Sequence, residues 1–406
     1  MPKTQTLTFK RVLTASPAEV YRAFTNSSAL REWLCEAAQA DPRKGGRLYL
    51  WWGSGYYSAG EYTALAPGKK IGFTWRGRDE PEATRVQVSL KARKAGTEVA
   101  LTHSGLGAGK AWERNRQEIT DGWPKALENL QSVLETGHDL RYTSRPLLGI
   151  SFDDFNADIA AKLGVPVTQG VRLSSVSEGL GAEAAGLQKG DVLVSLGGRA
   201  LTDPNSFAPA LQGRRAGDTV KVVFYRGPEK KTTQMTLSPR PLAPVPPTPQ
   251  ELAEAVRQIY AEMDAELEKV FAGVTEAQAA HKSAPAEWSA KETLAHLIAG
   301  ERDNQHWIGD LVGGHEWWYD DWGGNVYPRI VGTTAVYPTL AAVLEELKRN
   351  EAEVVAALTA LPPEFVARKG SYWRLGHSLL QLASHTQEHL EQIKAALEAG
   401  QKKAQP

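Results

Sequence analysis

The pattern of apolar and polar positions changes its period twice along the 406 residues, which predicts three domains. Alternating, strand-like stretches dominate residues 1–138, short strands and helices share residues 145–240, and a helical period of three to four dominates residues 248–400. The segment 239–249 holds six prolines, a composition typical of an extended, semi-rigid spacer. We therefore expect a multidomain α+β protein.

Residues 1–138 are predicted to begin with a strand and to end with a long helix at about 112–136. Ser16, Pro17 and Glu19 predict the start of a short helix, because Ser and Glu at this spacing form a capping box. Strand-like stretches separated by glycine and proline turns follow at 47–52, 56–64, 70–76, 85–92 and 98–104.

This order of elements resembles the START-like (SRPBCC) helix-grip fold, in the branch named after activators of the heat-shock ATPase. The resemblance is carried by the motifs at 41–46, 60–62, 73–75, 97–103 and 122–130. It implies a sheet curled around one long helix, with an apolar cavity between them for a small apolar ligand. Trp51, Trp52, Tyr56 and Trp75 are candidates to line that cavity, although large aromatic side chains equally suit an ordinary core.

The middle region is marked by closely spaced glycines. Residues 189–191 predict a tight turn into an apolar strand at 192–196, followed by a helix at 207–211 and a strand at 219–226. Together with the motif at 181–198, this region resembles a PDZ domain of the bacterial protease-associated type, a small β-barrel or sandwich with two helices.

The PDZ resemblance implies that a peptide or protein C-terminus binds by adding a strand to the sheet edge. Its carboxylate would be held by the loop Leu147, Leu148, Gly149 and Ile150. The alternative is a groove that is empty or packs against a neighbouring domain. No Gly-x-Ser-x-Gly motif or similar triad occurs, so no protease domain is predicted.

Residues 248–400 are predicted to form an all-α four-helix bundle. The four amphipathic stretches lie at about 249–271, 290–311, 339–361 and 379–398. The connection between the second and third is long and aromatic, a feature that indicates a functional lid. Its aromatic residues are Trp317, Trp318, Tyr319, Trp322 and Tyr327.

Three histidines carry the clearest chemical signal of the chain. His385 and His389 are four residues apart in a predicted helix and therefore share one face. His296, in the second predicted helix, would complete a triad. Three neutral imidazoles with an open coordination position suit zinc or a similar divalent ion. Each histidine taken alone equally fits a surface position or a hydrogen-bonded core position.

The residues 288–289, 292–297 and 385–393 resemble the DinB family of metal-binding bundles, which includes thiol-dependent S-transferases and isomerases. The resemblance implies a divalent metal, zinc or nickel, held by the three histidines, and a low-molecular-weight thiol as a possible substrate. Glu292 is expected to accept the free N–H of His296, and Gln381 and Gln392 are expected to orient the ligands. No catalytic acid or base is assigned.

Charge, hydropathy and cysteine content limit the partners and the location that we expect for this chain. Residues 1–248 hold 33 Lys and Arg against 24 Asp and Glu, while residues 249–406 hold 14 against 23. The basic residues are spread out rather than clustered, so no nucleic-acid surface is predicted. No apolar stretch is long enough to span a bilayer. The single cysteine, Cys35, and an N-terminus without a signal-peptide core favour a reducing, cytoplasmic location.

Two functions fit these features. One is a metal-dependent transferase or hydrolase to which the other two domains recruit a substrate or partner. The other is a non-enzymatic adaptor or sensor that binds peptide C-termini and hydrophobic ligands or clients.

Overall fold

A computed structural model describes residues 4–316 and 326–404. These residues form two compact units: Met1–Asp139 together with Ala243–Pro406, and Leu140–Leu242. Four aromatic residues of the predicted lid lie outside the described residues: Trp317, Trp318, Tyr319 and Trp322.

The N-terminal domain is a seven-stranded antiparallel sheet that packs against one long helix. Its elements are β1 (Thr4–Leu13), α1 (Pro17–Thr25), α2 (Ser27–Trp33), β2 (Ala37–Ala40), β3 (Arg47–Trp51), β4 (Tyr57–Ala66), β5 (Lys70–Gly77), β6 (Thr84–Arg93), β7 (Gly96–Gly107) and α3 (Glu113–Thr136). The strands follow the order β1-β7-β6-β5-β4-β3-β2.

The helix-grip prediction is confirmed, with α3 contributing Ile119, Trp123, Leu127 and Leu130 to the core. The capping box at Ser16 is present. Strand β2 was not predicted, because its four residues, with three alanines, show neither alternation nor a preference for strand.

The second unit holds a six-stranded sheet. Its elements are α4 (Leu140–Thr143), β8 (Pro146–Leu147), β9 (Ile150–Asp153), α5 (Ala157–Leu163), β10 (Val171–Val176), α6 (Gly181–Ala184), β11 (Val192–Leu196), β12 (Arg199–Ala200), α7 (Phe207–Leu211), β13 (Thr219–Arg226), β14 (Glu229–Thr236) and β15 (Ser238–Pro239). In the six-stranded sheet, β9 is an edge strand and β12 pairs only with β11. Helix α7 and strand β13 have the predicted bounds.

The C-terminal region is helical. Its helices are α8 (Pro249–Phe271), α9 (Glu276–Ala279), α10 (Ala290–Gly313), α11 (Val326–Val336), α12 (Leu340–Thr359), α13 (Pro363–Val366), α14 (Lys369–Leu379) and α15 (Leu382–Ala404). Long helices α8, α10, α12 and α15 correspond to the four predicted amphipathic stretches.

One boundary in this region differs from the prediction. The predicted fourth helix at 379–398 is in fact the junction of two helices, since α14 ends at Leu379 and α15 begins at Leu382. The apolar residues on both sides of the junction continue one helical period, so the sequence pattern does not reveal the break.

The bundle core consists of two separate apolar clusters. One contains Leu252, Val256 and Leu358, and the other contains Leu267, Leu294 and Ile393. Each cluster draws side chains from α8, α10 and α12. Among the residues described, no helix combines the length and the apolar character that crossing a bilayer requires.

Candidate metal centre

Helices α10 and α15 position the three predicted histidines. Helix α10 begins at a capping box in which the Ser289 hydroxyl accepts a hydrogen bond from the Glu292 N–H, while the Glu292 carboxylate accepts one from the Ser289 N–H. The buried side chains of Leu294, Leu297 and Ile298 hold this helix in the core. On α15, Leu390 and Ile393 have the same function.

The three imidazole rings converge. One nitrogen from each of His296, His385 and His389 lies within 4.8 Å of the other two. The Nε2 atoms of His385 and His389 are 3.1 Å apart. Two nitrogens bonded to one tetrahedral zinc at about 2.0–2.1 Å would be ~3.3 Å apart, so this pair already has suitable spacing.

The histidine environments differ in a way that suits a metal. His389 is buried, His296 is partly buried and His385 is exposed. The Nδ1 atom of His296 is buried and has no hydrogen-bond partner among the described residues. A buried polar atom without a partner is costly, and a bound ion or its coordinated ligands can remove that cost.

Burial and nearby charge favour the neutral form of the His296 and His385 rings. Burial, followed by the charges of the neighbouring His389 and His385, lowers the pKa of His296 to about 4. Burial, followed by the charge of His389, also lowers the pKa of His385. A neutral imidazole offers a lone pair, which is the form that binds a metal.

The predicted supporting residues have different environments. Gln392 Oε1 lies 2.9 Å from His389 Nδ1. Gln381 instead lies at the junction of α14 and α15, where its Nε2 contacts the ring and the carbonyl oxygen of His377, at 2.8 and 3.0 Å.

Glu292, expected to accept the N–H of His296, contacts other groups in this structure. Its carboxylate accepts the Ser289 N–H at 2.8 Å and pairs with Lys282 at 2.8 Å, while His296 Nδ1 lacks a partner among the residues described. Glu292 is the third residue of the helix, and the capping box draws its side chain back toward the N-cap. The Trp288 ring also packs against His296, with ring centroids 4.9 Å apart.

The candidate pocket residues of the N-terminal domain separate into two groups. Trp52 and Tyr56 pack around the buried Trp75, with Trp52 5.9 Å from Trp75 between ring centroids. Trp51 belongs to β3, where the core-facing residues are Leu48 and Leu50, so alternation places Trp51 on the other face.

Sequence reasoning missed a buried polar chain beside these aromatics. Trp123 Nε1 donates to His103 Nδ1 at 3.0 Å, and His103 Nε2 lies 2.7 Å from the Thr84 hydroxyl. Burial lowers the pKa of His103 to about 4, so this ring is neutral. A histidine at a core-facing position of an alternating strand was the signal for it.

In the second unit, the loop predicted to hold a carboxylate leads into the edge strand β9. Gly149 has φ +75°, and a Cβ atom there would lie 2.5 Å from the Cβ of Leu180. The Phe152 and Phe207 rings lie 6.2 Å apart, so β9 and α7 are neighbours. Phe152 is 47% exposed.

Three family models match successive parts of the chain. Residues 14–135 match the family model described as Activator of Hsp90 ATPase homolog 1-like protein, residues 146–237 match the PDZ domain, and residues 259–393 match the DinB superfamily. The chain combines these three domain types. The DinB-like domain contains all three histidines, and DinB proteins are generally metal-binding.

Individual relatives match one domain at a time. A Do-like HtrA serine protease of Lactococcus lactis is 38% identical over 27% of this chain and 28% of its own length. The human activator of 90 kDa heat shock protein ATPase homolog 1 is 29% identical over 29% of this chain and 33% of its own length. The chain thus spans about a third or less of these curated relatives.

Among solved structures, the Aha1 dimer of Colwellia psychrerythraea is 22% identical, covers 32% of this chain and 96% of its own, and has a TM-score of 0.29. A Mesorhizobium loti protein is 24% identical over 32% of this chain and 97% of its own, with a TM-score of 0.30.

Proposed function

We propose that the DinB-like domain is a metal-dependent enzyme, a thiol S-transferase or a hydrolase, in which His296, His385 and His389 hold a divalent ion. The observation that carries this proposal is the convergence of three ring nitrogens within 4.8 Å, one ring having a buried Nδ1 atom without a partner among the described residues. Zinc and nickel both accept imidazole nitrogen.

The ion would supply Lewis acidity, by which a bound thiol or water loses a proton near neutral pH. The protein side chains would orient the ligands and leave the site open to substrate. Gln392, by accepting the Nδ1 hydrogen of His389, directs the lone pair of Nε2 toward His385. The exposed His385 leaves one side of the site accessible to substrate. Because the only cysteine, Cys35, is buried in the N-terminal domain core, the thiol would come from a separate molecule.

Metal analysis of the purified full chain tests this proposal. We expect about one equivalent of zinc or nickel after reconstitution, and less than a tenth of that for the His385→Ala, His389→Ala double variant. His306→Ala is the matched control, because His306 is exposed and lies on the same helix as His296. Equal metal content in the control and the double variant would refute the proposed ligands.

A second proposed function, peptide binding by the PDZ domain, rests on the edge strand β9. Its outer backbone groups can accept an added strand, and the Leu147–Ile150 loop would hold the terminal carboxylate. A peptide library screened with free and amidated C-termini tests it, because only free carboxylates should bind. Gly149→Asp should abolish binding if it remains folded, whereas Asp154→Asn, an exposed change beyond the strand, should not.

In the N-terminal domain, the proposed apolar-ligand site reduces to Trp52, Tyr56 and Trp75. A fluorescent apolar probe that quenches tryptophan emission would test it.

The cytoplasmic location stays a prediction. The relatives of this chain include proteins named as probable periplasmic serine endoproteases.

A further inference from the structure

The bundle contains a cleft of about 580 Å³ between α8 and α12. The three candidate metal ligands, on α10 and α15, do not contribute to it. Its volume falls within the range of small-molecule sites, about 300–1,000 Å³. The side chains of Ala261, Ala352, Val355 and Ala356 make much of its wall apolar.

Glu351 lines this cleft and is the unusual residue in it. It is only 6% exposed, yet it forms neither a hydrogen bond nor an ion pair within 4 Å with any residue that the structure describes. A carboxylate this buried and without a cationic partner is costly to ionise, because little water is left to solvate its charge.

Two other carboxylates, Asp264 and Glu301, lie near Glu351. Asp264 lines the cleft from α8, and the buried Glu301 acts on Glu351 from α10. Glu301 is already bonded, since it accepts hydrogen bonds from the Tyr260 hydroxyl at 2.5 Å and the Asn304 amide at 3.1 Å. The carboxylate that lacks a partner is therefore that of Glu351.

The basic residues around the cleft have other partners. Arg257 pairs with Glu254 on its own helix. Lys348 lies 2.6 Å from Glu268 and 4.0 Å from Asp264. Neither cation lies within ion-pair distance of Glu351 among the described residues.

We propose that this cleft binds an organic monocation with an apolar body, such as an alkylamine or arylalkylamine. The ammonium group would pair with Glu351 and Asp264, and the apolar body would lie against the alanines and Val355. The Tyr260 side chain, which also lines the cleft, is suitably placed to contact the cation.

The protonation of Glu351 supports this proposal. Burial, and then the charges of Asp264 and Glu301, raise the pKa of Glu351 to about 8, while Lys348 opposes the rise. At pH 7 the carboxyl therefore carries a proton, which a bound ammonium would displace. Asp264, Lys348, Glu301, Tyr260 and Arg257 are the titratable or charged groups that surround it on the packed helices.

Calorimetric titration of the full chain with n-hexylamine tests this inference, with n-hexanol as the neutral comparison. We expect saturable binding of the amine, with at least tenfold weaker binding of the alcohol. At pH 7, titrations in two buffers of different ionisation enthalpy should show the release of close to one proton per amine.

Glu351→Gln should weaken amine binding at least tenfold and abolish the proton release, and Asp264→Asn should weaken binding too. Glu353→Gln, an exposed change on the same helix, is the control and should change neither. Binding should persist in the His385→Ala, His389→Ala variant, so this result is independent of the metal proposal. Equal binding of amine and alcohol, or unchanged amine binding in Glu351→Gln, would overturn the inference.

Discussion

At His389, one hydrogen bond decides which ring nitrogen faces the other histidines. Gln392 Oε1 lies 2.9 Å from Nδ1, and Nε2 lies 3.1 Å from its counterpart on His385. Gln392→Leu removes this acceptor and frees the ring to rotate or to change tautomer. Loss of such a supporting bond typically costs 10–100-fold in metal affinity, and we expect a decrease of about that size.

Competition with a metal indicator would measure this loss. Gln387→Leu is the matched control, because Gln387 is an exposed residue of the same helix that contacts Glu391 instead. If both variants bind the metal as tightly as the unmodified chain, then Gln392 does not orient His389.

Glu351 leads to a prediction about stability and pH. Its pKa rises from an ordinary value of 4.5 to about 8 in the folded chain. Between these values the folded state binds more protons than the unfolded state, so stability decreases as pH increases through this window. Each pKa unit corresponds to about 1.4 kcal/mol, so the total is on the order of a few kcal/mol.

Glu351→Gln lacks this ionisation. The variant should therefore gain stability relative to the unmodified chain as pH increases from 5 to 8.5, as measured by urea unfolding of both proteins. Glu353→Gln should show no such pH-dependent gain. A constant difference between Glu351→Gln and the unmodified chain across this range would contradict the assignment.

At the scale of elements, helical period explains both what the sequence predicts and what it misses. Spacing of four places His385 and His389 on one face whatever the surrounding fold, so their proximity is a local property. The approach of His296 depends on how α10 packs against α15, and the family resemblance was needed to predict it. Neither the helical period nor the family resemblance predicts that the capping box holds the Glu292 carboxylate.

The acidic residues of the cleft could have been found from the same period. On α8, Val256, Tyr260, Asp264 and Leu267 follow the apolar stripe at spacings of four, four and three, and the acidic Asp264 interrupts it. On α12, Glu351 lies between Leu347 and Val354 at spacings of four and three. Charges within an apolar stripe mark positions where a partner or ligand is needed.

The cap of α10 offers a test at this scale. Ser289→Ala removes the hydrogen bond that the Ser289 hydroxyl accepts from the Glu292 N–H, at a cost of about 1 kcal/mol. We expect lower thermal stability and a several-fold loss of metal affinity, because fraying of the first turns releases His296. Thr339→Ala removes the equivalent cap of α12 and should lower stability alone. Equal metal affinity in the two variants would show that fraying does not reach His296.

At the scale of the whole molecule, the N-terminal domain and the bundle belong to one compact unit, although the PDZ domain separates them in sequence. Buried polar contacts join the two. Glu316 pairs with Arg374 at 2.6 Å and with Arg31 at 3.3 Å, and Ser371 donates a hydrogen bond to Glu32 at 2.5 Å.

The charge state of Glu316 follows from these contacts. Burial alone would raise its pKa, but the charges of Arg374 and Arg31, with hydrogen bonds from Arg374 and Trp307, outweigh that effect and lower it. The carboxylate therefore stays ionised between two arginines from different domains. Removing it leaves their charges without compensation, and breaking a buried pair in this way typically costs 3–5 kcal/mol.

Glu316→Ala should therefore uncouple the two domains. By calorimetry, we expect the N-terminal domain and the bundle to unfold in one transition in the unmodified chain and in two, at lower temperature, in the variant. Glu364→Ala, an exposed change in the bundle, should leave the single transition intact. A coupling of about 3–5 kcal/mol is large beside the stability of a typical domain, about 5–15 kcal/mol. Two transitions for these domains in the unmodified chain would therefore mean that the contact does not couple their folding.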